Sequence, residues 1–197
     1  MLYPKYAAEL LGTFVLAFVV WLSAALAMPL PTPVVAALTL GLFVYTVGGI
    51  SGAHLNPAVT LGLLSVNRIS TQDAAGYILA QFIGGILAQL LGRYLIGTAV
   101  QIPGESALPV AIVEALGAFL LVFAVLAVTM KKVPAALSGV VIGGSLLLGI
   151  YVAASLGNGL VNPVVAFAIG SLNLAYLLGP IFGGITGAWA YHLLSKD

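Results

Sequence analysis

Two stretches limit what this chain can fold into: Ser51-Gly-Ala-His-Leu-Asn-Pro-Ala-Val-Thr60 and Gly157-Asn-Gly-Leu-Val-Asn-Pro-Val-Val-Ala-Phe167, each with Asn directly before Pro at the head of an apolar run. Pro presets φ for the first helical position, and Asn before it offers a side-chain oxygen to an orphan N–H, so each pair marks a helix start. The runs that follow, Pro57 to Val66 and Pro163 to Leu172, are about ten residues each, half of what a bilayer crossing requires. The chain is nevertheless 62% hydrophobic and 6% charged, with a mean hydropathy of +1.21, so lipid is its solvent. The two starts are therefore read as half-helices whose N-termini lie inside the membrane. Irregular backbone at that depth is tolerated only where it is buried in protein or lines a cavity.

Composition excludes several classes. The net charge of +1 gives no basic field for nucleic acid and no footprint of an acidic substrate. The absence of cysteine removes disulfides, thiolate catalysis and Cys-based metal sites. The first apolar segment, Tyr6–Met28, is too long for a signal-peptide core and lacks a small-residue cleavage site before a hydrophilic stretch, so it reads as a first span.

Apolar segments between polar or Pro-rich punctuation predict an all-α membrane protein of six transmembrane helices plus the two re-entrant half-helices. The spans are Tyr6–Met28, Val34–Gly49, Ala74–Gly97, Leu108–Met130, Pro134–Ala154 and Leu174–Leu194. The second is short, so its ends are expected to extend into the flanking turns, and Pro180 is expected to bend the last. If both half-helices enter and leave on one side, Lys5, Arg68, Lys131, Lys132 and Lys196 share one face and Arg93 lies toward the other. That asymmetry predicts a multi-pass protein with both termini cytoplasmic. Ala8-Glu-Leu-Leu-Gly-Thr-Phe14 matches Val113-Glu-Ala-Leu-Gly-Ala-Phe119, and Asn-Pro follows Glu9 and Glu114 at nearly equal distance. The chain thus reads as one channel-like domain, 1–197, built from inverted halves of about 1–100 and 108–197, with its site at the midplane where broken helices meet.

The paired Asn-Pro elements, the paired Glu and the three-plus-three layout together resemble the aquaporin (major intrinsic protein) family. The first element looks like that family's first signature in full, and Ala80-Gln-Phe-Ile-Gly84 and Gly179-Pro180 extend the likeness over nearly the whole chain. The resemblance implies a passive channel for water and small uncharged solutes of the glycerol, urea and ammonia class. It also implies a pore within each chain of a homotetramer, the cell membrane as location, no enzymatic activity and no cofactor. The second element departs from the pattern: Asn162-Pro163-Val164-Val165 stands where Asn-Pro-Ala-Arg is usual, so Val165 takes the place of the constriction Arg. By offset, the other constriction positions fall on Ala36, Ile150 and Gly159. The expectation is a wide, apolar constriction with weakened cation exclusion, unless Ile150 or Phe167 swings in to seal it.

Asn56 and Asn162 are either simple helix caps or pore residues whose amide N–H groups face a lumen. In the second case two half-helix N-termini, each carrying about half a unit of positive charge, meet there with Pro57-Ala58 and Pro163-Val164 behind them. A water oxygen bound by both amides would turn its hydrogens outward and interrupt a proton wire. The carbonyls of Gly52, Ala53, His54 and Leu55, and of Asn158, Gly159, Leu160 and Val161, are expected to form a ladder of acceptors. Glu9 and Glu114 are either a proton relay or, as the family resemblance favours, structural acceptors for loop N–H groups that have no water to turn to. His54 reads as pore-lining or loop-bracing and not as a metal ligand, since no cluster of ligands surrounds it. His192 reads as an interfacial side chain reaching for water. The spacings Gly84/Ala88/Gly92, Gly139/Gly143 and Gly179/Gly183/Gly187 allow close helix crossings. The alternatives are a secondary transporter, which also uses inverted repeats and broken helices, and an intramembrane hydrolase. For the latter, Ser23, Ser138 and Ser145 lack a positioned base.

Overall fold

A computed structural model describes residues 4–196. The described chain is helical throughout: α1 (Pro4–Ala25), α2 (Thr32–Ser51), α3 (Pro57–Ser65), α4 (Thr71–Ile96), α5 (Leu108–Thr129), a 3-10 turn (Ala135–Leu137) leading into α6 (Ser138–Ala153), α7 (Pro163–Ala168) and α8 (Leu174–Leu194). Among the described residues, α1, α2, α4, α5 and the stretch Ala135–Ala153 are long and apolar enough to cross a membrane. The 21-residue α8 is of similar length, but Pro180, His192 and four glycines dilute its hydropathy. Its place follows from packing. Gly179, Gly183 and Gly187 meet Ala111, Ala115 and Phe119 in turn, so α8 runs parallel to α5 and crosses with it.

The half-helices are shorter than the sequence suggests. The apolar run to Val66 ends as helix at Ser65, because Asn67 turns left-handed (φ 57°) and Arg68 N reaches back to Leu63 O. The run to Leu172 ends after only six residues, at Ala168. There Gly170 adopts φ 79° and Ser171 N bonds Ala166 O, a backbone closure that outweighs the apolarity of Ile169 and Leu172. Span ends shift by a few residues as well: α1 stops at Ala25, and α2 extends to Thr32 and Ser51. The helix α8 continues through Pro180.

The two halves repeat. Helix α1 packs on α4 and on α2, as α5 packs on α8 and on α6, while α2 and α6 meet across the middle. Two diglycines show how the halves interlock. Gly84 accommodates Leu10 of its own half, whereas Gly85 takes the Val164 side chain from the other half's short helix. In the repeat, Gly183 accommodates Ala115 and Gly184 takes Ala58. Each half-helix therefore docks on the last helix of the opposite half, α3 on α8 and α7 on α4. Only glycine lets the chains approach this closely.

A Cβ added at Gly184 would collide with the backbone of Ala58. Gly184→Val is expected to lower the thermal aggregation midpoint of the detergent-solubilised protein, at an overpacking cost of about 1–3 kcal/mol or more. Gly144→Val, at an exposed helical site with nothing near its Cβ, should leave the midpoint unchanged.

Candidate functional site

The loops ahead of α3 and α7 carry unusual backbone. Ala53 and Leu55 in one, and Gly159 and Val161 in the other, have φ between 50° and 66°. Three of these four are not glycine, and such conformations cost on the order of 1–3 kcal/mol each unless the surroundings fix them. Here the surroundings do. Glu9 on α1 accepts Ser51 Oγ (2.7 Å) and His54 N (2.9 Å) at Oε1, and Leu55 N and Gln81 Nε2 (both 2.8 Å) at Oε2. Glu114 on α5 accepts Leu160 N (2.9 Å) and Val161 N (2.6 Å). Both carboxylates are fully buried, and three residues after each stands a glycine on the same helix face. A Cβ at Gly12 would lie 2.5 Å from the Leu55 side chain, and one at Gly117 would lie 2.8 Å from that of Val161. The glycines thus seat the side chains of the left-handed residues whose N–H groups the carboxylates hold.

The two loops are also tied to each other. Asn56 accepts Ala58 N at Oδ1 and donates from Nδ2 to Val161 O at 2.9 Å. Asn162 accepts Val164 N and donates to Leu55 O at 3.0 Å. The asparagines are caps and cross-ties at once, so their side-chain oxygens and one N–H apiece are committed. The ladder of loop carbonyls is correspondingly shorter than the sequence suggests. Leu55 and Val161 spend their carbonyls on the opposite asparagine. Those of residues 52–54 and 158–160 accept no hydrogen bond from the described residues.

A cavity of about 240 Å³ collects Asn56, Asn162, His54, Asn158, Gly159 and Leu160 from the loops and half-helix starts, together with side chains from α1, α2, α5 and α6 that are apolar except for Thr32. Ala36, Ile150, Gly159 and Val165 all line it, and no Lys, Arg, Asp or Glu does. Gly159 is required twice, by its φ of 66° and because a Cβ would fall 2.8 Å from Ile150 O. Phe167 turns away to an edge contact with Phe82, ring centroids 6.1 Å apart. Pro57, Ala58, Pro163 and Val164 stand behind the cavity in helix packing, as do the side chains of Ala53, Leu55 and Val161. Gly52 lies instead on a second cavity, toward the face that carries both described ends of the chain, with Val44, Val125, Lys131 and Ile142.

His54 is braced within the site. Its Nδ1 lies 3.1 Å from Thr60 Oγ1, and Tyr77 meets it edge-on at 5.0 Å. His192, expected to reach for water, lies edge-on to Trp189 with Nδ1 buried and without a partner among the described residues. Sequence reasoning missed the shell around Glu9. Gln81 also donates to Thr60, and Tyr77 donates to Ser51 O. It also missed the apolar wall, although Leu16, Val20 and Ala24 recur at helical spacing and all line the cavity.

Two half-helices meeting N-terminus to N-terminus at a lumen, locked by buried carboxylates inside an inverted repeat, define a membrane channel of the re-entrant-helix type. The profile described as Major intrinsic protein matches residues 2–191, and the chain belongs to that family. It is therefore a multi-pass membrane channel and not an enzyme. It is 32% identical over 183 residues to "Probable aquaporin AqpM" of Archaeoglobus fulgidus, covering 82% of this chain and 74% of that protein. It is 34% identical over 213 residues to "Glycerol uptake facilitator protein-like 6" of Lactiplantibacillus plantarum, covering 98% and 99%. In fold it is similar to the aquaglyceroporin of Plasmodium falciparum, with a TM-score of 0.69 at 21% identity, over 95% of this chain and 94% of that one.

The two carboxylates carry unequal loads, which gives a test. Glu9→Ala would leave four donors unpaired and Glu114→Ala two, at about 1–3 kcal/mol for each buried group. Both variants should lose folded protein, with Glu9→Ala the worse, as read by size-exclusion recovery and thermal midpoint. Normal recovery with loss of only a proton-dependent flux would mark the carboxylates as a relay.

Proposed function

We propose that each chain of a homotetramer carries its own pore, and that the pore passes water and uncharged solutes of glycerol, urea or ammonia size down their gradients. The face bearing Lys5, Arg68, Lys131, Lys132 and Lys196 is assigned to the cytoplasm by its excess of cations, and the cell membrane is the proposed location. One observation carries the solute range. At the mouth opposite that face, Val165, Ala36, Gly159 and Ile150 line the cavity, and no charged side chain joins them. In the family pattern an Arg at position 165 narrows the passage and offers fixed donors. Valine removes both, while Ala36 and Gly159 contribute almost no bulk. The glycerol-facilitator and aquaporin names of the relatives support this reading.

Ion exclusion must then rest on other terms. A unit charge about 4 Å from a passing ion is worth on the order of 4 kcal/mol at an effective dielectric near 20, and Val165 forgoes it. The positive ends of α3 and α7 remain, with the six-residue α7 aligning fewer peptide dipoles than the nine-residue α3. An apolar ring also gives a dehydrating ion nothing in return.

Stopped-flow swelling of proteoliposomes tests the solute range. Wild type should conduct water, glycerol and urea, and Val165→Arg should cut glycerol and urea flux more than water flux. A wild type that conducts water but excludes glycerol and urea, with both rates unmoved by Val165→Arg, would defeat the wide-mouth reading.

A further inference from the structure

The pore is lined by two cavities, and the same three helices line both. Helix α2 contributes Leu40 to the central cavity and Val44 to the one toward the terminal face, α5 contributes Leu121 and then Val125, and α6 contributes Leu146 and Ile142. Each pair is separated by a single helical turn. His54 bounds the first cavity and Gly52 the second, so the loop passes the same boundary. The two cavities share these helices but no lining residue, so the boundary between them falls in the single turn that separates Leu40, Leu121 and Leu146 from Val44, Val125 and Ile142. The His54 ring borders the first cavity and lies against Gly52 of the second, where a Cβ would fall 3.2 Å from its Cδ2.

The repeat shows how this boundary compares with the opposite mouth. The register that carries Asn56 onto Asn162 also carries Ala36 onto Ile142 and Val44 onto Ile150. The register of Glu9 onto Glu114 carries Val20 onto Val125. The level of Val44, Val125 and Ile142 is thus the repeat image of the mouth at Val20, Ala36 and Ile150. Its three side chains are Val, Ile and Val where the mouth has Val, Ala and Ile, so the terminal-face ring is the bulkier. On the loop side His54 stands in the register of Leu160. Its imidazole cannot swing aside freely, being held by Thr60 at 3.1 Å and by the Tyr77 edge. All three aliphatic residues are buried and offer a solute no hydrogen bond.

We infer that the level of Val44, Val125 and Ile142, next to Gly52 and the His54 ring, sets the size cut-off and the wetting of this pore, in place of the opposite mouth at Val20, Ala36 and Ile150. The inference rests on the proposed passage of neutral solutes and locates its control. A narrow, dry ring passes small neutral molecules in single file and opposes hydrated ions by dewetting. It therefore supplies a barrier to ions at the end of the pore farthest from Val165.

Purified full-length protein reconstituted in liposomes tests this by stopped-flow swelling in water, glycerol and erythritol. Ile142→Ala should raise glycerol and erythritol flux several-fold while raising water flux less. Val125→Thr keeps the width but adds a hydroxyl, and should raise water flux with the glycerol-to-water ratio unchanged. Ile142→Val should move the ratio in the same direction as Ile142→Ala by a smaller step, which covers the case in which the alanine variant is not recovered folded. If wild type conducts and these three variants match it, while Ala36→Phe blocks glycerol, the terminal-face ring is not the filter and the channel reading stands. If wild type and every variant are indistinguishable from empty liposomes, both fail. A slow wild type that Ile142→Ala makes permeable supports the ring.

Discussion

A buried carboxylate that receives backbone N–H groups is the interaction on which the rest of this structure depends. In lipid an extended loop has no water to satisfy it, and each orphaned amide would cost several kcal/mol. Glu9 and Glu114 remove that cost and in doing so fix the curl of the loops. Their oxygens accept consecutive amides, His54 and Leu55 in one half and Leu160 and Val161 in the other. In a loop, consecutive amides converge on one carboxylate when the backbone passes through the left-handed region, as in an anion-binding nest. The unfavourable φ values at Leu55 and Val161 and the otherwise costly buried carboxylates thus compensate one another. The halves do so unequally. Glu9 is completed by the side chains of Ser51 and Gln81, whereas Glu114 accepts the backbone amides of Leu160 and Val161.

Once the loops are curled, they supply nearly all the polar groups along the cavity. The peptide groups that hold the loops together, those of Leu55 and Val161, are withdrawn from any solute by the asparagine cross-ties. What remains toward the cavity is the uncommitted N–H of Asn56 and of Asn162, Asn158, the braced His54, and the loop at Gly159 and Leu160, whose carbonyls are unpaired among the described residues. The helices supply aliphatic side chains, with Thr32 of α2 at one end as the exception. A solute with several hydroxyl or amide groups can keep them toward the loops and its carbons toward the helices. A bare ion has no equivalent orientation.

The local chemistry was legible in the sequence. Asn before Pro at the head of a short apolar run gave the helix starts, and a Glu isolated in an apolar span announced a backbone partner. The echo of one half in the other brought the two sites together. Tertiary choices were not legible. The end of α7 depends on Gly170 turning left-handed, which the apolar Ile169 and Leu172 on either side conceal. Nothing in Ala80-Gln-Phe-Ile-Gly84 reveals that Gln81 serves the carboxylate of a different helix. The regular glycine spacings pointed to close packing but not to the division of labour within each pair. Adjacent residues such as Gly84 and Gly85 face different neighbours, and spacing alone cannot name them.

That division of labour bears on the order in which the molecule can assemble. The notch that receives α3 is Gly184, on the last helix of the chain. The notch that receives α7 is Gly85, already present when α7 is made. A chain emerging N-terminus first can seat its second half-helix at once. Its first must wait, short and apolar, until α8 follows. The lumen is closed from the far end of the sequence, so a chain interrupted before α8 retains most of its spans but leaves the first half-helix without its seat.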